Sequence, residues 1–294
     1  MKKELRYKEN KKLTLSASKI NLFYECPRKY FYRYLYIWED EKLQSTSWPG
    51  SGFGDAIHKI LEFTTYNLKE GEKDLIRKAE GKFKEYFDKW LMDNEKTFKK
   101  SKDYTYKSFI EKGEKYAKLI VKFYISYFND FIDILPEKKF EVPYEYSKYD
   151  VSLNGIIDLV YFFEEGFSII DFKTTKESSK FYFVDWVIDT QSLIYLYYSL
   201  KEYKQIPTSF SYLILNHIDR TLFFKDQMVN EIDNEKKFFK GLTSQINDVC
   251  KYTLKPDFDL HNSSQKTCFW CEYESICELR YKSKITNLWK GVKK

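Results

Sequence analysis

The stretch "GIIDLVYFFEEGFSIIDFKTT" (155–175) contains two short apolar segments separated by Glu164, Glu165 and Gly166. Both segments are rich in β-branched and aromatic residues, a composition typical of β-strands. Gly166 between them supplies the backbone freedom that a tight turn or a bulge requires. The sequence therefore predicts a β-hairpin whose strands are residues 151–163 and 167–174.

Each predicted strand carries one aspartate among apolar residues, Asp158 in the first and Asp171 in the second. Lys173 follows Asp171 by two positions and is expected on the same strand face. A hairpin loop with an even number of residues would place both aspartates on one face, whereas a three-residue loop without a bulge would separate them. Two carboxylates and a lysine at one sheet edge would form a divalent-cation site, and the alternative is a cross-strand salt bridge on a solvated face.

Two helical segments carry further polar residues that match such a site. His58 lies among apolar neighbours in "GDAIHKILE", with Glu62 one helical turn later, and Gln191 and Tyr195 are also one turn apart. His58 alone would be interpreted as a histidine packed in the core. Together with the aspartates and Lys173, it is better interpreted as a third metal ligand.

The order of the predicted elements indicates a single mixed core. Ser16 or Ser18 is expected to cap a first helix, Pro27 to begin a second one, and residues 45–54 to form a loop. Residues 71–135 have helical periodicity, strands begin at Pro136, and a last helix is expected at about 229–252. We therefore predict an α/β fold with a helical insertion.

The composition indicates a globular chain in a reducing compartment. No stretch of about 18 apolar residues is present, and the N-terminus lacks the apolar segment of a signal peptide, so a cytoplasmic location is expected. Three of the five cysteines fall within "TCFWCEYESIC" (267–277), and in such a compartment they are expected to bind metal. The net charge of +6 is compatible with a polyanionic partner.

The motifs "GDAIHKILE", "GIIDLVYF", "IIDFKTT" and "QSLIYLY", in this order, resemble the RecB-like branch of the PD-(D/E)XK nuclease superfamily. They are similar to those of the CRISPR-associated RecB-like exonucleases and of AddAB-type nuclease modules, and the resemblance extends from Ser16 to Cys277. It implies a restriction-endonuclease-like mixed β-sheet core flanked by helices. The implied metal ligands are His58, Asp158, Asp171 and the backbone carbonyl of Phe172. The implied catalytic residues are Asp158, Asp171, Lys173, Gln191 and Tyr195.

The resemblance also implies a role for each group. Lys173 would orient the nucleophile or neutralise developing charge, Gln191 would position Lys173 or water, and Tyr195 would contact the DNA backbone. The cation would be Mn²⁺ or Mg²⁺, with Mn²⁺ somewhat better suited to a site that includes an imidazole. Glu141 and Glu62 are weaker candidates for an outer shell.

Members of this branch often bind a four-iron, four-sulfur cluster through one cysteine before the nuclease core and three after it. The matching residues are Cys26, Cys268, Cys271 and Cys277, and such a cluster would join the N- and C-terminal segments. Cys250 is left over. A four-cysteine zinc site and unligated buried thiols are the alternatives.

The expected organisation is one nuclease domain over residues 1–294. It comprises an N-terminal helical arm (1–50), a helical region with His58 (51–135), the PD-(D/E)XK core (136–228), and the C-terminal helix with the cysteine segment (229–294). The expected function is a metal-dependent deoxyribonuclease, an exonuclease favouring single-stranded ends, in DNA processing, recombination or defence. A catalytically silent nuclease-fold protein that binds DNA or a partner, and an iron–sulfur redox protein, are the alternatives.

The expected partners follow from the same resemblance. DNA is the expected substrate, in a bacterial cell or in one infected by a phage that encodes the protein, and no membrane association is expected. No Gly-x-x-x-x-Gly-Lys-Ser/Thr phosphate-binding motif is present, so a helicase would be a separate protein. A CRISPR or recombination protein is the other candidate partner.

Overall fold

Fifteen helices, turns and strands are defined in the computed structural model, which describes residues 13–36, 49–68, 72–93, 105–128, 132–175, 189–216, 221–229, 232–256, 268, 271, 273 and 277. In chain order they are β1 (Leu13–Leu15), α1 (Ala17–Glu25), α2 (Pro27–Tyr30), a π-helical turn (Phe31–Leu35), α3 (Pro49–Tyr66), α4 (Glu72–Asp93), α5 (Tyr106–Tyr127), β2 (Asp133–Pro143), β3 (Val151–Phe163), β4 (Gly166–Thr175), α6 (Thr190–Glu202), β5 (Ser209–Asn216), β6 (Thr221–Met228), α7 (Glu235–Phe238) and α8 (Lys240–Leu254).

The chain divides into two compact units. The first unit comprises Met1–Gln44, Glu141–Gly155 and Ile232–Lys294, and the second comprises Ser45–Phe140 and Ile156–Glu231. Strands β2 and β3 contribute residues to both units.

The strands form a mixed sheet. Among the described residues the order is β1-β3-β4-β5-β6, and β2 also pairs with β3. The β3–β4 and β5–β6 pairs are antiparallel, whereas β1–β3 and β4–β5 are parallel. A two-residue turn joins β3 to β4, with Phe163 opposite Gly166, and this confirms the predicted hairpin. Of the two loop lengths that the sequence left open, the structure has the even-numbered one.

One face of the sheet in the second unit packs against α3, α4 and α5. Leu159, Ile170, Phe172 and Leu213 contribute to this core from the strands. The helices contribute large side chains with almost no exposed surface, among them Phe53, Phe83, Phe87, Tyr116 and Tyr124. Each such side chain stabilises the fold by about 1.5–3 kcal/mol relative to an exposed one. This core fixes the position of α3, and with it that of His58.

Helix α6 covers the opposite face. The Phe140 and Tyr198 rings stack with centroids 4.3 Å apart, and Phe210 lies 6.1 Å from Tyr195. Since successive strand residues point to opposite faces, Phe172 enters the first core while Asp171 and Lys173 point towards α6. The Asp189 side chain caps α6 by accepting a hydrogen bond from the Ser192 N–H.

In the first unit, β1 pairs with the start of β3, and α1 packs against α8. The Phe23 and Tyr252 rings lie 5.3 Å apart, and the Tyr24 hydroxyl donates to Asp248 at 2.8 Å. Ser16 caps α1, as one of the two predicted alternatives. None of the helices in the described part of the chain combines the length and apolar character needed to span a bilayer.

Three predicted boundaries are wrong. The expected loop at 45–54 is helical from Pro49 onward, and residues 45–48 lie outside the described residues. Gly52 is required there for close helix packing, since a Cβ at this position would lie 2.1 Å from the Trp90 ring. Strand β2 begins at Asp133 rather than Pro136, and the last helix is divided into α7 and α8.

Candidate active site

Asp158 lies where the pairing of β3 with β4 ends. The last paired residues are Leu159 and Ile170, so Asp158 and Asp171 occupy the next positions of the two strands. Asp158 Oδ2 accepts a hydrogen bond from the Phe172 N–H at 2.7 Å. The carboxylate thus takes the place of a strand carbonyl for this N–H group and is held in the gap between the strands.

Asp171, Lys173 and Gln191 are joined by one ion pair and two hydrogen bonds on the α6 side of β4. Lys173 Nζ lies 2.6 Å from Asp171 Oδ2 and donates to Gln191 Oε1 at 3.0 Å. Gln191 Nε2 in turn donates to Asp171 Oδ1 at 2.7 Å. The side chain of Asp171 is only 2% exposed. The ammonium group is therefore fixed beside the carboxylate by two independent contacts.

Tyr195 extends this set towards the start of β3. Its hydroxyl accepts from Gln191 Nε2 at 2.8 Å and donates to the Ile156 carbonyl at 2.6 Å. Tyr195 is 4% exposed. The hydroxyl thus donates its proton within the protein. The DNA-backbone contact expected from the sequence stays a prediction.

His58 and Glu137 approach Asp158 from the other side. His58 Nδ1, on α3, lies 3.3 Å from Asp158 Oδ1 and 3.9 Å from Glu137 Oε1. Among the described residues, His58, Glu137 and Asp158 form a group whose possible ligand atoms all lie within 4.8 Å of one another. One imidazole and two carboxylates are a donor set suited to Mn²⁺ or Mg²⁺.

The sequence analysis did not identify Glu137. Its backbone φ of 50° is in the left-handed region, which non-glycine residues adopt rarely and at a cost of about 1–3 kcal/mol. Nothing in "PEKKFEVP" distinguishes Glu137 from a solvated charge on a strand. Of the two glutamates proposed from sequence, Glu62 pairs with Lys59 at 2.6 Å, and the charges of both act on Glu137. Glu141 is exposed, and its charge acts on Lys19.

Burial and mutual repulsion raise the proton affinity of the carboxyl groups. Burial, reinforced by the charge of Asp158, raises the pKa of Asp171 to about 7, although Lys173 and His58 oppose the shift. Burial and the charge of Asp158 also raise the pKa of Glu137. A bound divalent cation would offset this repulsion, and the residues present therefore fit such an ion.

Burial lowers the pKa of a basic group, but nearby carboxylates outweigh this effect at both His58 and Lys173. Burial would lower the pKa of His58, but the hydrogen bond to Asp158 and the charges of Asp158, Asp171 and Glu137 outweigh it, and the pKa is raised. For Lys173, burial is likewise outweighed by Asp171, so its pKa is raised and the ammonium form is favoured. The site thus contains a stable cationic group beside its carboxylates.

The cysteines lie in the first unit. Cys26 follows α1 and is buried, the Cys271 N–H donates to the Cys268 carbonyl at 3.2 Å, and the Cys277 N–H donates to the Tyr273 carbonyl at 3.0 Å. The Tyr273 ring packs 5.5 Å from Tyr32, on the π-helical turn that follows Cys26 through α2.

The pKa of the Cys271 thiol depends on burial and on nearby ionisable side chains. Burial raises its pKa, Lys29 lowers it, and Cys26 and Cys277 raise it further. Cys250 is buried in α8, and burial raises its pKa to about 12. All five cysteines are described and none is in a disulfide bond. The charges of Cys26 and Cys277 thus act on Cys271 within the first unit.

Of three comparisons with known proteins, the one with family models identifies a family. The solved structure named "Crystal structure of SSO0001" is 15% identical, covers 77% of this chain and 96% of its own, and has a TM-score of 0.35. No curated protein sequence gives a significant match. A family model described as the PD-(D/E)XK nuclease superfamily matches residues 14–278. The mixed sheet flanked by helices is consistent with a restriction-endonuclease-like core, and the chain belongs to the PD-(D/E)XK nuclease superfamily.

Proposed function

We propose that this protein is a divalent-metal-dependent deoxyribonuclease whose active site lies at the divergence of β3 and β4. The observation that carries the proposal is the juxtaposition of two sets of groups. His58, Glu137 and Asp158 bring possible ligand atoms within 4.8 Å of one another, and Asp171 holds Lys173 Nζ at 2.6 Å.

His58, Glu137, Asp158, Asp171 and the carbonyl of Phe172 would hold one or two cations. When bound, Mn²⁺ or Mg²⁺ supplies Lewis-acid chemistry, activating water and stabilising charge on the scissile phosphate. Asp158 has a further role that needs no cation. By accepting a hydrogen bond from the Phe172 N–H, it fixes the β4 backbone directly after Asp171.

Lys173 would stabilise negative charge on the phosphate in the transition state. Its ammonium is preorganised by Asp171 and Gln191, so little reorganisation is needed when charge develops. Tyr195 holds Gln191 in place through the bond to the Ile156 carbonyl, and Gln191 in turn orients Lys173. These two residues are positioning residues in the proposed mechanism.

The finer assignment is an exonuclease of the RecB-like branch that acts on single-stranded DNA ends. The order of the four sequence motifs supports this assignment, as does the presence of four matching cysteines in one unit. A separate helicase, or a CRISPR or recombination protein, is the proposed partner. One nuclease domain over residues 1–294 stays a prediction.

We also propose that Cys26, Cys268, Cys271 and Cys277 bind a four-iron, four-sulfur cluster. The electrostatic proximity of Cys26, Cys271 and Cys277 supports it, and so does the turn that brings Cys268 next to Cys271. When bound, the cluster would supply a covalent connection between the two ends of the chain.

Degradation of labelled DNA tests the proposed function. Linear single-stranded and double-stranded DNA and circular single-stranded DNA are incubated with the protein in Mn²⁺, Mg²⁺ or EDTA. We expect linear single-stranded DNA to be degraded with either metal, circular DNA to remain intact, and EDTA to stop the reaction. Cleavage of circles would overturn the exonuclease assignment, and cleavage in EDTA would overturn the metal-dependent site.

A further inference from the structure

A cavity of about 390 Å³ lies in the first unit, where α7 and α8 meet the segment that follows β2. Its volume is in the range of small-ligand sites. Its lining residues are Tyr146, Asn234, Lys236, Lys237, Lys240 and Thr243. The sequence analysis assigned none of these residues a role, and none belongs to the site on β3 and β4.

Three of the lining residues are lysines. Lys236, Lys237 and Lys240 are exposed, and within the described part of the chain none of their ammonium groups forms an ion pair. The Glu235 carboxylate, which contacts the Tyr146 hydroxyl at 2.6 Å, offsets part of this charge, and the three lysines leave the lining net positive. Such a net charge attracts anions over a distance of about 10 Å at ordinary salt.

The other polar groups of the cavity reinforce this preference for an anion. Asn234 Oδ1 accepts from the Lys237 N–H at 2.9 Å, so its amide N–H groups remain as the donors of that side chain. The Tyr146 hydroxyl donates to Glu235 at 2.6 Å, and the Thr243 hydroxyl donates to a helix carbonyl at 2.8 Å. Ammonium and amide donors are thus among the groups that a ligand would meet.

One lining residue of the cavity, Tyr146, is aromatic, and its ring is held by two neighbouring rings. The Tyr146 ring stacks on Phe239 with centroids 6.2 Å apart and an interplanar angle of 18°. Tyr144 meets the Tyr146 ring edge-on at 5.7 Å. An aromatic surface beside cationic groups is the combination by which proteins bind single-stranded nucleic acid without sequence preference.

We propose that this cavity binds the sugar–phosphate backbone of a single DNA strand. The three lysines and the Asn234 amide contact phosphate oxygens, and the Tyr146 ring contacts the sugar or base. The choice of DNA as the anion rests on the proposed function, whereas the preference for a polyanion rests on the cavity itself. The cavity would hold a strand independently of the metal ligands.

Binding of fluorescein-labelled oligothymidylate in EDTA, followed by fluorescence anisotropy across a salt series, tests the proposal. We compare the wild type with a variant in which Lys236, Lys237 and Lys240 are replaced by alanine. The expected result is at least a ~10-fold weaker affinity and a salt slope smaller by about 2, as three lost contacts to a single strand imply. Inorganic phosphate at the same charge concentration should compete poorly.

The matched control replaces Lys115, Lys118 and Lys122, which are exposed on α5, with alanine and removes the same charge. A second variant, Asn234→Asp, keeps the helix cap but replaces the amide donors with a carboxylate, and should also weaken binding. Equal affinities for the cavity variant and the control, or equal competition by free phosphate, would overturn the proposal. If the wild type showed no metal-dependent cleavage, only the proposed function would be overturned, because DNA binding in EDTA is measured separately.

Discussion

Burial and ionisation oppose each other at Asp171. The side chain is enclosed between Lys173, Gln191 and the strand core, and its pKa is raised to about 7 because burial disfavours the charged form. A protein without a catalytic or ligand-binding requirement gains nothing from a carboxyl group in this position. The cost of burying this carboxyl group in its charged form is consistent with a site at which a bound divalent cation stabilises that form.

The free energy of unfolding should reveal this pKa directly. The folded-state pKa of Asp171 is raised from 3.8 to about 7, so the native state holds a proton that the unfolded state releases between these values. The stability that this group contributes is present below pH 4 and is lost as the pH rises to about 7. We therefore compare the free energies of unfolding of Asp171→Asn and the wild type in EDTA. Their difference, variant minus wild type, should increase between pH 4 and pH 7 and then level off.

Urea denaturation in EDTA at a series of pH values gives this difference. A difference that stays constant or decreases between pH 4 and pH 7 would contradict a raised pKa at Asp171.

Glu137 provides a second test at the scale of one residue. Glu137→Gln removes a charged ligand from the group with His58 and Asp158, and should weaken Mn²⁺ binding at least ~10-fold, the lower end of the cost for losing even an outer-shell partner. Glu141→Gln is the matched control, since Glu141 is exposed on the same strand and outside that group. Calorimetric titration with Mn²⁺ measures both, and equal affinities for the two variants would exclude Glu137 as a ligand.

At the scale of elements, the hairpin was predictable because its signals are local. Composition predicted both strands, and the two-residue turn before Gly166 fixed which residues face each other. The segments that carry His58 and Gln191 were also predicted to be helical, and α3 and α6 confirm this. These features depend on residues that are close in sequence.

The features that were not predictable depend on distant contacts. Glu137 reaches His58 because β2 adopts a left-handed conformation at that residue, which no neighbouring residue type requires. The buried position of Tyr195 depends on the Ile156 carbonyl, which lies 39 residues earlier. Gly52 of α3 was assigned to a loop because its packing partner, Trp90, lies on another helix.

Helix packing offers a paired prediction of opposite sign. A Cβ added at Gly113 on α5 would lie 1.8 Å from the buried Phe83 ring, so Gly113→Ala should destabilise the protein by about 1–3 kcal/mol. A Cβ added at Gly81 on α4 meets no described atom within 4 Å, so Gly81→Ala should stabilise it by about 0.5–1 kcal/mol. Chemical denaturation measures both, and similar effects of the two substitutions would contradict the described α4–α5 contact.

At the scale of the whole molecule, the first unit is assembled from three separate parts of the chain. Residues before 45, between 141 and 155, and after 231 contribute to it. A metal centre bound by Cys26 and the three C-terminal cysteines would close a chain loop of about 240 residues, which stabilises a fold by reducing the entropy of the unfolded state.

Anaerobically purified protein should be brown and contain iron and sulfide in roughly equal amounts. Cys26→Ser should remove the colour and lower the melting temperature, because it removes a proposed ligand. Cys250→Ser should retain the colour, since Cys250 is buried in α8 and is not a proposed ligand. Visible absorbance and metal analysis measure these outcomes, and stoichiometric zinc without iron would rule out the cluster.

The central claim is that the site formed by the carboxylates and Lys173 on β3 and β4 catalyses DNA cleavage. The cleavage rate of Asp171→Ala tests this claim most directly. With labelled single-stranded DNA and saturating Mn²⁺, we expect the rate to fall at least ~1,000-fold for Asp171→Ala and about 10²–10³-fold for Lys173→Ala. DNA binding in EDTA should be retained by both variants, and Asp171→Ala, which removes a negative charge, should bind as tightly as the wild type or more tightly. The control Asp74→Ala, an exposed carboxylate on α4, should cleave at the wild-type rate. Wild-type cleavage by Asp171→Ala would show that the catalyst lies elsewhere.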